Sequence, residues 1–174
     1  MTGVQTCALP ISAGCLAALD RLHASGKRFT NIADIGTGTG LIAFAALKLW
    51  PEARGIATDI DPISIDVSND NARINGVKIG HAPGELLLAV ADGMDHPMLT
   101  TRAPFDLLIA NILAGPLIEL APAFAKACAP GASVVLAGLL DTQADTVTAA
   151  YKAQGMTVTE RGDDEWCVLG LDMG

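Results

Sequence analysis

The chain has 174 residues, of which 51% are hydrophobic, 17% charged and only 4% aromatic; that suffices for one domain cored by Ala, Leu, Ile and Val and excludes a disordered chain. Nineteen acidic residues against eleven basic ones give a net charge of −8, which argues against a nucleic-acid backbone as partner and is compatible with a basic protein partner. Cys7, Cys15, Cys128 and Cys167 form no C-x-x-C pair, His23, His81 and His96 show no ligand spacing, and no apolar run reaches membrane-spanning length, so buried thiols in a reducing cytoplasm, no metal and no membrane are the expectation.

Met1 to Ile11, MTGVQTCALPI, has no periodicity. It resembles a common DNA-sequencing adapter translated in one frame from a GTG start, so natural coding sequence is expected to begin at or inside Ser12. One domain is expected over residues 12–174. From Ser12 to Ser25, Leu16, Leu19 and Leu22 recur three apart and predict an amphipathic helix, stopped near Gly26. Phe29–Ile35 reads as a strand, Gly36–Gly40 as a glycine-rich turn, and Leu41–Trp50 as an apolar helix ended by Pro51. Arg54–Thr58 is a second strand. A helix then runs to about Asn75, with Asp61 as cap and Pro62 in its first turn. Strands follow at Glu85–Val90 and Phe105–Ala110, then a helix at Leu117–Cys128 and a Pro130-Gly131 turn. Ser133–Ala137 is a strand, Thr142–Ala153 a helix, and Gly155–Glu160 and Trp166–Leu171 are strands joined by a tight turn at Arg161–Asp164.

Strands alternate with helices until the closing pair, whose short connection requires antiparallel neighbours. The expected fold is α/β: a doubly wound, mostly parallel sheet of seven strands, helices on both faces and the last strand antiparallel. In such sheets ligands bind beyond the carboxyl ends of the strands, near the switch point.

Three stretches fall there. Asp34-Ile35-Gly36-Thr37-Gly38-Thr39-Gly40 follows the first strand and opens a helix. Its glycines permit a sharp turn and close approach of a ligand, and the helix amino terminus favours negative charge. A dinucleotide fingerprint, G-x-G-x-x-G, fits poorly: from Gly36 it places Leu41 at the third glycine, and from Gly38 it places Ala43 there, a residue sometimes tolerated. D-x-G-x-G-x-G instead resembles the first motif of class I S-adenosylmethionine-dependent methyltransferases. Asp59, about twenty residues on, ends the second strand and can accept hydrogen bonds from both ribose hydroxyls, with Asp61 left to cap; the alternative is that both cap. Ile60 would then lie against the adenine. Asp92 would accept from the adenine amino group, or is an ordinary loop acid. Asn111 follows the apolar run Leu107–Ala110; it is either a turn residue or an amide facing the transferred methyl group.

The run IANILAGPLIELAPAFAKACAPGASVVLAGLLDTQADTV, with DIGTGTGLIAFAALKL, ATDIDPISIDVSNDNARINGV and the closing EWCVL, resembles the ribosomal protein L11 methyltransferase family (PrmA). The likeness covers nearly everything from Ser12 onward, and N-I-L-A-G-P-L is its specific part. It implies S-adenosyl-L-methionine as cofactor, a cytoplasmic enzyme, and a basic ribosomal protein of the large subunit as substrate, methylated on a lysine side chain, its amino terminus or both. A monomer is expected. The family's cofactor residues fall on Gly36, Asp59 and Asn111; Asp34, Gly38, Ile60 and Asp92 complete the expected binding set. Family members also carry an amino-terminal recognition domain and an F-G-T-G-x-H-x-T-T loop. Neither stands in this sequence, and Ser12 falls at the loop's last Thr, so an amino-terminally truncated, weakly active or inactive fragment is expected. Catalysis is assigned to positioning of amine and methyl, with Asn111 as the orienting residue and no His or Glu as an obvious base. The rivals are a class I methyltransferase for another protein or small molecule, and a nucleotide-binding oxidoreductase domain.

Overall fold

A computed structural model of the chain describes residues 4–162 and 166–174. Eight strands form one sheet: β1 (Asn31–Ile35), β2 (Arg54–Asp59), β3 (Lys78–Ile79), β4 (Glu85–Val90), β5 (Phe105–Asn111), β6 (Cys128–Leu140), β7 (Met156–Arg161) and β8 (Trp166–Met173). Their order is β3-β4-β2-β1-β5-β6-β8-β7. Only β8 is antiparallel to its neighbours, β6 and β7, which accords with the expected class. The helices are α1 (Val4–Ala24), α2 (Leu41–Leu49), α3 (Pro62–Ile74), α4 (Pro97–Arg102), α5 (Ala114–Ala127) and α6 (Asp141–Lys152).

The sheet divides the core in two. Cys15, Leu19, Ile42, Ala46 and Trp50, from α1, α2 and the end of α2, cover one face; Phe124, Ala144, Val147 and Tyr151, from α5 and α6, cover the other. β5 shows why its sequence is an unbroken apolar run. Leu107 and Ile109 face the first cluster, Leu108 and Ala110 the second, and all four are fully buried; a parallel strand packed on both sides has no polar face.

Several boundaries differ from the sequence reading. The eighth strand, β3, has two residues, Lys78 and Ile79, paired to Glu85 and Leu86, too few for any period to show. α4 has six residues and is capped by an uncommon group: His96 Nδ1 accepts from the Met98 N–H at 3.1 Å. α5 begins at Ala114, since Pro116 lies in its first turn, where no N–H is needed. β6 already pairs at Cys128, and the Pro130-Gly131 turn is an excursion within it: Phe105 faces Cys128 and Leu107 faces Ser133. The first helix starts at Val4 and crosses Ser12 without a break. The turn expected at Arg161–Asp164 lies partly outside the described residues. Cys15, Cys128 and Cys167 are buried thiols; the Cys7 side chain lies outside the described set. Among the described residues no helix is long and apolar enough to cross a membrane.

Candidate active site

At the carboxyl ends of β1, β2, β4 and β5 lies a cavity of about 520 Å³. β1 supplies Ile35 and Gly36, β2 Asp59 and Ile60, the end of β4 Ala91, Asp92 and Gly93, β5 Asn111 to Leu113, and α5 Pro116, Glu119 and Leu120. A larger cleft, about 900 Å³, lies between α2 and α3. It contains none of the seven residues expected to bind the cofactor.

The glycine turn is built by its own backbone. Gly36, Gly38 and Gly40 have φ of 76°, 58° and 84°, left-handed values that disfavour any side chain. The Gly36 and Thr37 N–H groups both donate to the Thr58 carbonyl, at 2.8 and 2.9 Å, and the Gly40 N–H to the Thr37 carbonyl at 3.0 Å. The Gly38 N–H donates to Asp59 Oδ2 at 2.9 Å. From α3, Ser68 Oγ donates to the Gly38 carbonyl and Asn71 Nδ2 to that of Thr39. Four amides of the turn, those of Gly36, Thr37, Gly38 and Gly40, are thus bonded inside the protein.

Asp59 is held from two sides, since Oδ1 also accepts from the Asp61 N–H at 3.0 Å. Each carboxylate oxygen retains a second lone pair for a ligand in the cavity. Asp61 caps α3 through the Ile63 N–H at 2.9 Å, with Pro62 at the first position, as the sequence indicates. Ile60 is 65% exposed and Leu113 71%, which places two hydrophobic surfaces on the cavity rim. Asp92 is exposed on the same wall.

Five of the seven expected residues, Gly36, Asp59, Ile60, Asp92 and Asn111, therefore meet at one cavity. Asp34 and Gly38 do not line it. Asp34 is buried beneath the turn, 1% exposed, with Oδ2 accepting from Thr37 Oγ1 at 2.7 Å and Oδ1 without a partner among the described residues. Burial raises its pKa to about 6, against the lowering effect of the Thr37 hydroxyl. Gly38 serves the site through Asp59.

Asn111 is the last residue of β5, beside Ala137 of β6. It belongs to the strand rather than to a turn. The sequence reading missed Glu119, which stands eight residues beyond Asn111 and carries no local signal. It also missed Gly93, where a Cβ would lie 2.6 Å from Leu120 Cδ2; the Ala-Asp-Gly exit from β4 was its only clue. Among the described residues the wall has three carboxylates, Asp59, Asp92 and Glu119, and no Lys, Arg or His.

Residues 6–173 match the family model described as ribosomal protein L11 methyltransferase (PrmA). The chain belongs to this family. A PrmA protein of Brucella suis, named ribosomal protein L11 methyltransferase, is 44% identical over 146 residues, 84% of this chain and 49% of that protein. One from Sinorhizobium fredii is 47% identical over 143 residues, 82% of this chain and 47% of its own length. The chain thus spans about half the length of the curated PrmA relatives it matches. A ribosomal protein L11 methylase from Lactobacillus delbrueckii subsp. bulgaricus superposes with a TM-score of 0.80 at 25% identity, covering 95% of this chain and 79% of that one. The N-methyltransferase NodS of Bradyrhizobium japonicum, solved with S-adenosyl-L-homocysteine, shares the fold at a TM-score of 0.70 and 20% identity, over 94% and 87% of the two chains.

Proposed function

We propose that this chain is the methyl-transfer domain of a PrmA enzyme, moving a methyl group from S-adenosyl-L-methionine to an amino group of a large-subunit ribosomal protein in the cytoplasm. The acceptor is a lysine side chain, the amino terminus, or both. The observation that carries this reading is the charge of the cavity wall. Three carboxylates without a cation suit a sulfonium-bearing cofactor and a basic acceptor, and oppose the phosphates of a dinucleotide.

S-adenosyl-L-methionine, when bound, supplies an electrophilic sulfonium methyl, and the C–S electron pair leaves with sulfur. Asp59 accepts from the ribose hydroxyls while the Gly38 and Asp61 N–H groups fix its carboxylate. Ile60 offers an apolar face to the adenine, and Asp92 accepts from its amino group. Gly36, having no side chain, allows close approach to the turn. Asn111 orients the acceptor amine, which must be neutral to attack and, once methylated, releases one proton to water; a free lysine, with pKa about 10.4, is mostly protonated at neutral pH. Apolar groups at the rim favour the uncharged amine by excluding water.

Calorimetric titration with S-adenosyl-L-homocysteine and, separately, NADH tests the reading. Binding of the former and not the latter is expected. Tighter binding of NADH would overturn it in favour of an oxidoreductase domain.

A further inference from the structure

Asn111 is followed by Ile112, which is held from two directions, by its side chain on one and its backbone on the other. On one side is the glycine turn: a Cβ built on Gly36 would collide with Ile112 Cγ2, so the Ile112 side chain occupies the space that Gly36 leaves. On the other side is Gly138 of β6. Its φ is 84°, and a Cβ there would lie 2.5 Å from the Ile112 carbonyl oxygen, 2.9 Å from the carbonyl carbon and 3.0 Å from the nitrogen. The obstacle at Gly138 is backbone, which no change of rotamer relieves.

The local fold explains why β6 comes so close. Asn111 pairs with Ala137, one residue before Gly138. On its other edge β6 pairs Leu136 with Leu169, then Leu139 with Cys167. Three residues of β6 therefore span two of β8, the signature of a bulge, and a left-handed glycine is a usual occupant of such a position. The bulge turns the β6 backbone toward the Ile112 peptide.

We infer that Gly138 is a positioning residue for Asn111: by letting the β6 bulge back directly onto the Ile112 peptide, it holds the end of β5 against the glycine turn and fixes where the Asn111 amide is presented. This rests on the reading of Asn111 as the group that orients the acceptor amine. Gly138 lies outside the cavity wall, so its effect on transfer is indirect.

Gly131 supplies the control. It also lies in β6 with a left-handed φ, 75°, but a Cβ there meets nothing within 4 Å. Gly138→Ala and Gly131→Ala therefore share the backbone strain and differ in the collision. The primary measurement is the Asn111 side-chain amide resonance in nitrogen-15 spectra of the ligand-free chain. It is expected to move in Gly138→Ala and to stay in Gly131→Ala. With cofactor and ribosomal protein present, Gly138→Ala is expected to lower kcat about ten- to hundredfold, the scale of misplacing a reacting group. Affinity for S-adenosyl-L-homocysteine should fall by a smaller factor than kcat, and Gly131→Ala should leave both near their starting values. Should Gly138→Ala fail to fold, Ile112→Ala removes the opposing support with no collision and should move the same resonance. An unmoved Asn111 amide in the folded Gly138→Ala variant, or in Ile112→Ala, would overturn the inference, as would an equal kcat loss in Gly131→Ala. Absence of cofactor binding by the unsubstituted chain would defeat the proposed function instead, while the ligand-free spectra would still decide the role of Gly138.

Discussion

Asp34 shows how one buried group gives the chain a pH signature. Its folded pKa is raised to about 6 from an ordinary 3.8, chiefly by burial. Between those values the folded chain holds a proton that the unfolded chain releases. Its stabilising contribution is therefore complete below about pH 4 and lost as pH rises through about 6. Two pH units correspond to roughly 3 kcal/mol. Asp34→Asn keeps an oxygen for the Thr37 hydroxyl and removes the titration. Urea denaturation of both proteins at pH 4 and pH 7 should show the variant gaining up to that amount, relative to the parent, at the higher pH. Asp59 and Asp61 make a second contrast. Asp59→Ala removes both ribose acceptors and should weaken S-adenosyl-L-homocysteine binding ten- to hundredfold, from about 1.5–3 kcal/mol of lost hydrogen bonding. It also unpairs the Gly38 and Asp61 N–H groups, so stability falls as well. Asp61→Ala should cost about 1 kcal/mol of stability through the lost cap and leave affinity unchanged. Calorimetry separates the two, and an affinity loss confined to Asp61→Ala would refute the ribose assignment.

Among the elements, α5 and α6 are joined by a buried polar contact. Tyr151, fully buried, donates its hydroxyl to the Leu117 carbonyl at 2.9 Å, and its ring lies 6.1 Å from that of Phe124. Tyr151→Phe keeps the ring and deletes this one hydrogen bond, which predicts a loss of about 0.5–1.5 kcal/mol, seen as a lower denaturation midpoint at unchanged slope. How far such elements were legible in the sequence depends on whether local chemistry decided them. α3 announced its start because cap and proline both act within one turn, and β5 because burial on both faces leaves only apolar residues. β3 and α4 had no such mark: two residues are a single strand period and six are fewer than two helical turns, too short for a repeat to show. The Pro130-Gly131 turn is real, yet β6 pairs on both sides of it, because pairing with β5 resumes at Ser133. In the site, carboxylates and an amide at strand ends were visible as polar residues closing apolar runs. Gly138 was not, since its role comes from the peptide of Ile112, 26 positions earlier, which only the sheet brings alongside.

At the scale of the molecule, the cavity wall draws only on residues 35 to 120, while the chain spans about half the length of its curated relatives. Cofactor binding and presentation of the ribosomal protein should therefore separate. The chain alone is expected to bind S-adenosyl-L-homocysteine but to methylate the ribosomal protein far more slowly than a full-length relative does, since positioning accounts for about 7–11 kcal/mol of a barrier. Labelled-cofactor assays of this chain beside a full-length relative measure the difference; equal rates would refute the separation. The glycine turn carries one more consequence. Because four of its five amides are already bonded, to Thr58, Asp59 and Thr37, an arriving ligand has little loop to order there. Encounter and capture should be a single kinetic event, with an observed rate that climbs linearly with ligand concentration rather than saturating at the speed of a conformational gate.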